Sequence, residues 1–243
     1  MSVQLTERTL EYRHEGSLLE AFVCAPAGGG RRPAVLIAHA WAGRSPFECD
    51  KARALAELGY VGAAIDMYGK GGLGQSVEEN SGLMKPFLDN RALLQSRLQA
   101  ALAAARTDPA VDPERVAAMG FCFGGLCVLD LARSGADVRG VVSFHGLLGK
   151  PGNTEGRRIP ARVLVLHGHD DPMVPPADVL AFQQEMTAAG AEWQVHVYGH
   201  TLHSFTNPEA NDPSFGVKFD ANANRRSWRS LFYFPAEMRA LID

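Results

Sequence analysis

The chain has 243 residues, of which 46% are hydrophobic and 21% charged, and it carries a net charge of −3 near neutral pH. That length and mix suit a globular fold with a core of its own, expected as a single domain over 1–243. The absence of a basic run argues against a nucleic-acid partner, and no apolar stretch approaches the roughly 20 residues of a membrane helix.

The opening stretch, MSVQLTERTLEYRHEG, is mixed polar without an apolar signal core. A soluble, cytoplasmic protein is the expectation. From 18 onward the pattern sharpens. LLEAFVCAP (18–26) reads as a strand closed by the turn-rich GGGRRP. PAVLIAHA (33–40), YVGAAID (60–66), RVAAMG (115–120), VRGVVSFHG (138–146), ARVLVLHG (161–168) and WQVHVYG (193–199) follow as short apolar runs of strand length. Runs without alternation fit strands covered on both faces, as in a parallel sheet.

Helical patterns fall between them, at 47–58, 93–105, 126–133, 176–190 and 226–241, where Pro235 is expected to bend or break the last. The segment 69–90, glycine-rich and then polar, reads as a long loop over a site. Strands alternating with helices predict an α/β fold with crossover connections.

The densest chemical signal is MGFCFGGL at 119–126. A strand pattern precedes Cys122 and a helix pattern follows it, the setting of a nucleophile elbow. A residue on so sharp a turn adopts a strained backbone, and bulk two positions away on either side would collide with it. Gly120 and Gly124 remove that bulk. The helix N-terminus carries partial positive charge, which favours a thiolate there, and the Phe123 N–H is placed to hold a developing oxyanion.

The four cysteines, Cys24, Cys49, Cys122 and Cys127, match neither a zinc pattern nor a disulfide framework, so reduced thiols are expected. A thiol nucleophile needs a base, and the base needs an orienting group. With an elbow, the chain order is nucleophile, acid, histidine. The acid is offered by LHGHDDPMVPP (166–176) as Asp170 or Asp171, and the base by VYGHTLHSF (197–205) as His200 or His203. His196 lies within a predicted strand. Both loops follow strands and open on the same sheet edge as the elbow, where ligands of open α/β sheets bind.

These motifs taken together resemble the dienelactone hydrolase family of α/β hydrolases. The resemblance rests on Gly-x-Cys-x-Gly-Gly at 120–125, Asp-x-x-Val-Pro at 171–175 and His-Ser-Phe at 203–205, and it runs from about Leu18 to the end. It implies an α/β-hydrolase fold, a mostly parallel sheet with helices on both faces, and a triad of Cys122, His203 and Asp171. It also implies a second oxyanion donor, the Trp41 N–H in AHAWAGR.

The chain departs from the family at some positions. Ala40 stands where members carry a glutamate, and Thr206-Asn207 where an arginine holds the substrate carboxylate. Arg91 and Arg97 are candidates for a second, carboxylate-binding arginine. Arg44 and His145 are further candidates for substrate contact, with a solvated loop arginine as the alternative for the first and a hydrogen-bonded structural histidine for the second. His39 stands in the same position, and His167, His169 and Asp170 crowd together without metal-ligand spacing.

The expected activity is hydrolysis of a small-molecule ester or lactone other than the family's anionic lactone. No metal or organic cofactor and no nucleic-acid or membrane partner is expected, and the assembly is a monomer or small homo-oligomer. The competing expectation is a non-catalytic ligand-binding or scaffold protein that keeps the fold.

Overall fold

The computed structural model describes residues 3–239. The fold is a mostly parallel eight-stranded sheet with helices. Its residues group into two compact units, one ending at Met119 and the other beginning at Gly120.

The first unit opens with β1 (Leu5–His14) and β2 (Ser17–Pro26), an antiparallel hairpin. The polar N-terminal stretch, read without a strand, is thus strand β1. It lies at the edge of the sheet and mostly exposes its side chains, so no apolar run announces it. The hairpin signal is the pair Glu15-Gly16, both with positive φ (47° and 80°), between paired His14 and Ser17.

Next come β3 (Arg32–Ala38), helix α1 (Pro46–Glu57) and β4 (Val61–Ile65). β3 and β4 pair in parallel, and β4 pairs antiparallel with β2. Every residue of β4 is buried, which explains its unalternating apolar sequence.

The segment 69–90 contains a helix, α2 (Val77–Asp89), rather than a long loop. Its start is marked by Ser76-x-x-Glu79. Ser76 Oγ accepts from the Glu79 N–H at 3.1 Å, and Glu79 Oε2 accepts from the Gln75 N–H at 2.7 Å. Asn90 ends it and caps α3 (Arg91–Thr107) by accepting from the Leu93 N–H.

Strand β5 (Val111–Phe121) crosses the boundary between the units. The second unit continues with α4 (Phe123–Arg133), β6 (Gly140–Phe144), β7 (Arg162–Gly168), α5 (Pro176–Ala188) and β8 (Trp193–Tyr198). Here β6, β7 and β8 pair in parallel in that order. A two-stranded ribbon follows, β9 (Asn211–Asp212) with β10 (Val217–Lys218). Helix α6 (Ala221–Arg239) closes the described chain and runs through Pro235 without ending there. The last positions of the predicted 226–241 helix lie outside the described residues.

Among the described residues, no helix is long and apolar enough to cross a membrane.

Candidate active site

Cys122 lies between the end of β5 and the first turn of α4, with φ 55° and ψ −116°. A left-handed backbone at a residue with a side chain costs about 1–3 kcal/mol and persists only where its surroundings enforce it. Here they do. The Cys122 N–H donates to the Phe144 carbonyl at 3.0 Å and to His145 Nδ1 at 3.2 Å. The Cys122 carbonyl accepts from the Gly125 and Leu126 N–H groups, opening the helix.

Gly120 does exclude bulk, although what a side chain there would meet is Gly124 and not Cys122. A Cβ on Gly120 would overlap the Gly124 carbonyl, and one on Gly125 would come within 2.6 Å of Gly146 Cα. The second contact was not part of the sequence argument. It seats the start of α4 against the turn after β6. Phe123, buried, is the first helical residue. First-turn amides lack a carbonyl partner within their own helix.

Asp171 lies in the loop after β7, and His203 in the loop after β8. Their side chains meet, with His203 Nδ1 2.7 Å from Asp171 Oδ2. Both are almost fully buried. Asp171 Oδ1 accepts from the Met173 N–H at 2.9 Å, which fixes the carboxylate plane.

The alternatives left open by spacing sit elsewhere. His200 is exposed, and its Nδ1 lies 3.9 Å from Asp170 Oδ2. His196 bonds Ser230 Oγ. Gly168 lets the two loops approach, since a Cβ there would lie 2.5 Å from the Thr201 carbonyl and 2.7 Å from that of Leu202.

Burial alone would lower the pKa of His203, but negative charge on Cys122 and the bond to Asp171 overcome it and push the value up to about 10. His203 Nε2 is buried without a hydrogen bond of good geometry.

The backbone of His203 is held from the far side by the ribbon. Its N–H donates to the Gly216 carbonyl at 3.0 Å, and its carbonyl accepts from the Lys218 N–H at 3.1 Å. Nothing in the His-Ser-Phe motif pointed to this strap.

His145, a candidate for substrate contact, is instead buried with both ring nitrogens engaged inside the protein. Nδ1 faces the Cys122 amide, and Nε2 lies 2.8 Å from Thr206 Oγ1. Burial, followed by the nearby His203, holds its pKa well below the ordinary value. Among the described residues no cluster of His, Cys, Asp or Glu could hold a metal ion.

The remaining candidates belong to the first unit. Trp41 lies in the turn after β3, where its carbonyl accepts from the Tyr68 hydroxyl at 2.9 Å. Arg44 pairs with Glu20 at 2.7 Å. Arg97 is not poised for a ligand carboxylate, because its guanidinium donates to His14 Nδ1 at 3.0 Å and to the Met67 carbonyl at 2.9 Å. Arg91 begins α3 and is half-buried.

Sequence reasoning also passed over Glu48. The family's glutamate is missing at Ala40, yet the buried Glu48 carboxylate accepts from the Ala40 N–H at 3.3 Å and from Ser45 Oγ at 2.7 Å. Ser45-x-x-Glu48 is a capping box, which was the available signal.

Known proteins resemble this chain along most of its length. An uncharacterized protein of Caenorhabditis elegans is 41% identical over 157 residues, 61% of this chain and 96% of the relative. A carboxymethylenebutenolidase of Pseudomonas sp. strain P51 is 28% identical over 213 residues, covering 83% of this chain and 85% of that enzyme. Among solved structures, a dienelactone hydrolase-like promiscuous phosphotriesterase from metagenomic libraries is 34% identical. It covers 96% of this chain and 98% of its own, with a TM-score of 0.90. The dienelactone hydrolase family model matches residues 19–238, a span that holds the elbow, the Asp171 loop and the His203 loop, and the chain belongs to that family.

Proposed function

We propose that this hydrolase of ester or lactone bonds works through Cys122 as nucleophile, His203 as general base and acid, and Asp171 as the group that orients His203. The observation that carries the reading is the buried His203 imidazole, fixed on one nitrogen by Asp171 and with its other nitrogen left without a hydrogen bond.

His203 Nε2 takes the proton of the Cys122 thiol. The sulfur adds to the carbonyl carbon, and the carbonyl electrons move onto oxygen, where the Phe123 N–H and, by family resemblance, the Trp41 N–H stabilise them. The tetrahedral adduct collapses, the C–O bond breaks, and His203 gives its proton to the leaving alkoxide. Water then attacks the thioester while His203 takes its proton. Collapse releases the acid and restores the sulfur, so one ester and one water become one acid and one alcohol. Asp171 holds the Nδ1–H tautomer and stabilises the imidazolium. The chain's departures at Ala40 and Thr206-Asn207 favour a substrate without the family's carboxylate.

The test combines labelling with a substrate panel. Iodoacetamide at modest pH should modify Cys122 ahead of Cys24, Cys49 and Cys127 and abolish turnover. Aryl esters, lactones, thioesters and phosphotriesters should be screened on wild type and Cys122→Ser. Equal labelling of all four cysteines with turnover intact would reject the nucleophile. No turnover of any substrate would favour the non-catalytic alternative.

A further inference from the structure

We infer that His145 is a positioning residue whose neutral ring ties the backbone of Cys122 to the loop that carries His203. The inference rests on the triad reading above, because it concerns how the sulfur and its base are kept in register.

The Cys122 N–H points at His145 Nδ1, 3.2 Å away, so Nδ1 accepts and carries no proton. A neutral imidazole then holds its proton on Nε2, which donates to Thr206 Oγ1 at 2.8 Å. Thr206 is fully buried and lies just beyond His203 in the same loop. One ring therefore bridges the nucleophile's amide and the base's loop.

The same ring stands edge-on to His203, centroids 5.1 Å apart at 65°, and edge-on to Phe205, 5.1 Å apart at 80°. Its own backbone is left-handed at φ 39° and anchored by its N–H to the Leu166 carbonyl at 2.8 Å. Two strained non-glycine residues, Cys122 and His145, thus hold each other in place. A phenyl ring would fill the space yet leave an amide and a hydroxyl without this partner. An imidazolium would present a donor to a donor and place a second cation beside His203.

Thr206→Val removes the hydroxyl with little change of shape. It should lower kcat about tenfold with KM within about twofold, since small misplacements of reacting groups cost rate rather than affinity. Thr206→Ser should restore most of the loss. His145→Phe should lower kcat by about a hundredfold and slow alkylation of Cys122 by iodoacetamide in parallel. Nitrogen-15 NMR of the wild-type protein should show His145 as the Nε2–H tautomer at neutral pH.

Unchanged kcat in Thr206→Val and His145→Phe would overturn the inference, as would an Nδ1–H tautomer. The tautomer reading and Thr206→Val keep it testable if His145→Phe does not fold. Ester turnover that survives in Cys122→Ala would instead sink the triad reading beneath it.

Discussion

Two buried histidines, one in each unit, show how differently the same side chain can be bonded. In the first unit, His39 Nδ1 lies 2.7 Å from the Ala40 carbonyl, and His39 Nε2 accepts from the Met67 N–H at 3.1 Å. Both nitrogens serve the backbone, one in the turn after β3 and one just past β4, and burial lowers the pKa. In the second unit, His203 gives one nitrogen to Asp171 and leaves the other buried without a well-formed bond. Burial penalises the charged form of both. At His39, Glu48 and Asp66 oppose the penalty without overcoming it, whereas at His203 Cys122 and Asp171 reverse it. What separates them is the second nitrogen: filled by backbone in one, left without a hydrogen bond in the other.

The sharpest way to break this contrast is Asp171→Asn. It keeps the shape but favours the wrong His203 tautomer, so kcat on an aryl ester should fall about a thousandfold with the fold intact. A loss under tenfold would put His203 back among the structural histidines.

Arg97→Ala probes the other side of the comparison. It removes bonds to His14 and the Met67 carbonyl, so it should cost about 2–3 kcal/mol in urea unfolding while leaving kcat within about twofold. A rise in KM with unchanged stability would return Arg97 to the substrate-contact role that its bonding opposes.

The mildest effect is on pH. The folded pKa of His203, about 10, lies above the ordinary 6.5, so the stability from its partners is complete below 6.5 and is lost as pH rises toward 10. His145 has the opposite sign: its pKa is held well below 6.5, so the stability of its neutral form is present above 6.5 and is lost as pH falls. Urea midpoints should therefore fall more for wild type than for His203→Asn between pH 8 and 10.5. Parallel curves for the two proteins would contradict the raised value.

How far the sequence could be read depended on what each segment buries. β4 and β7 were legible because sheet neighbours and helices cover them and their composition is almost wholly apolar. β1 was not, because an edge strand with a mostly exposed face looks like a polar tail. α2 was missed because its glycine-rich approach masked the Ser76 cap. The elbow stood out because steric exclusion at 120–125 leaves a composition that few other turns need. Asp170 and Asp171, one residue apart, were indistinguishable by spacing, as were His200 and His203.

Local covalent order thus determined by itself the alternation of strands and helices, the sharp turn at Cys122 and the short list of acids and histidines near it, because periodicity and glycine sterics act over a few residues. Only tertiary structure decided that the Asp171 carboxylate meets His203 Nδ1, that the 211–218 ribbon straps His203, and that His145 reaches Thr206. Those pairings join residues far apart along the chain, and each is set by the direction in which a loop leaves its strand.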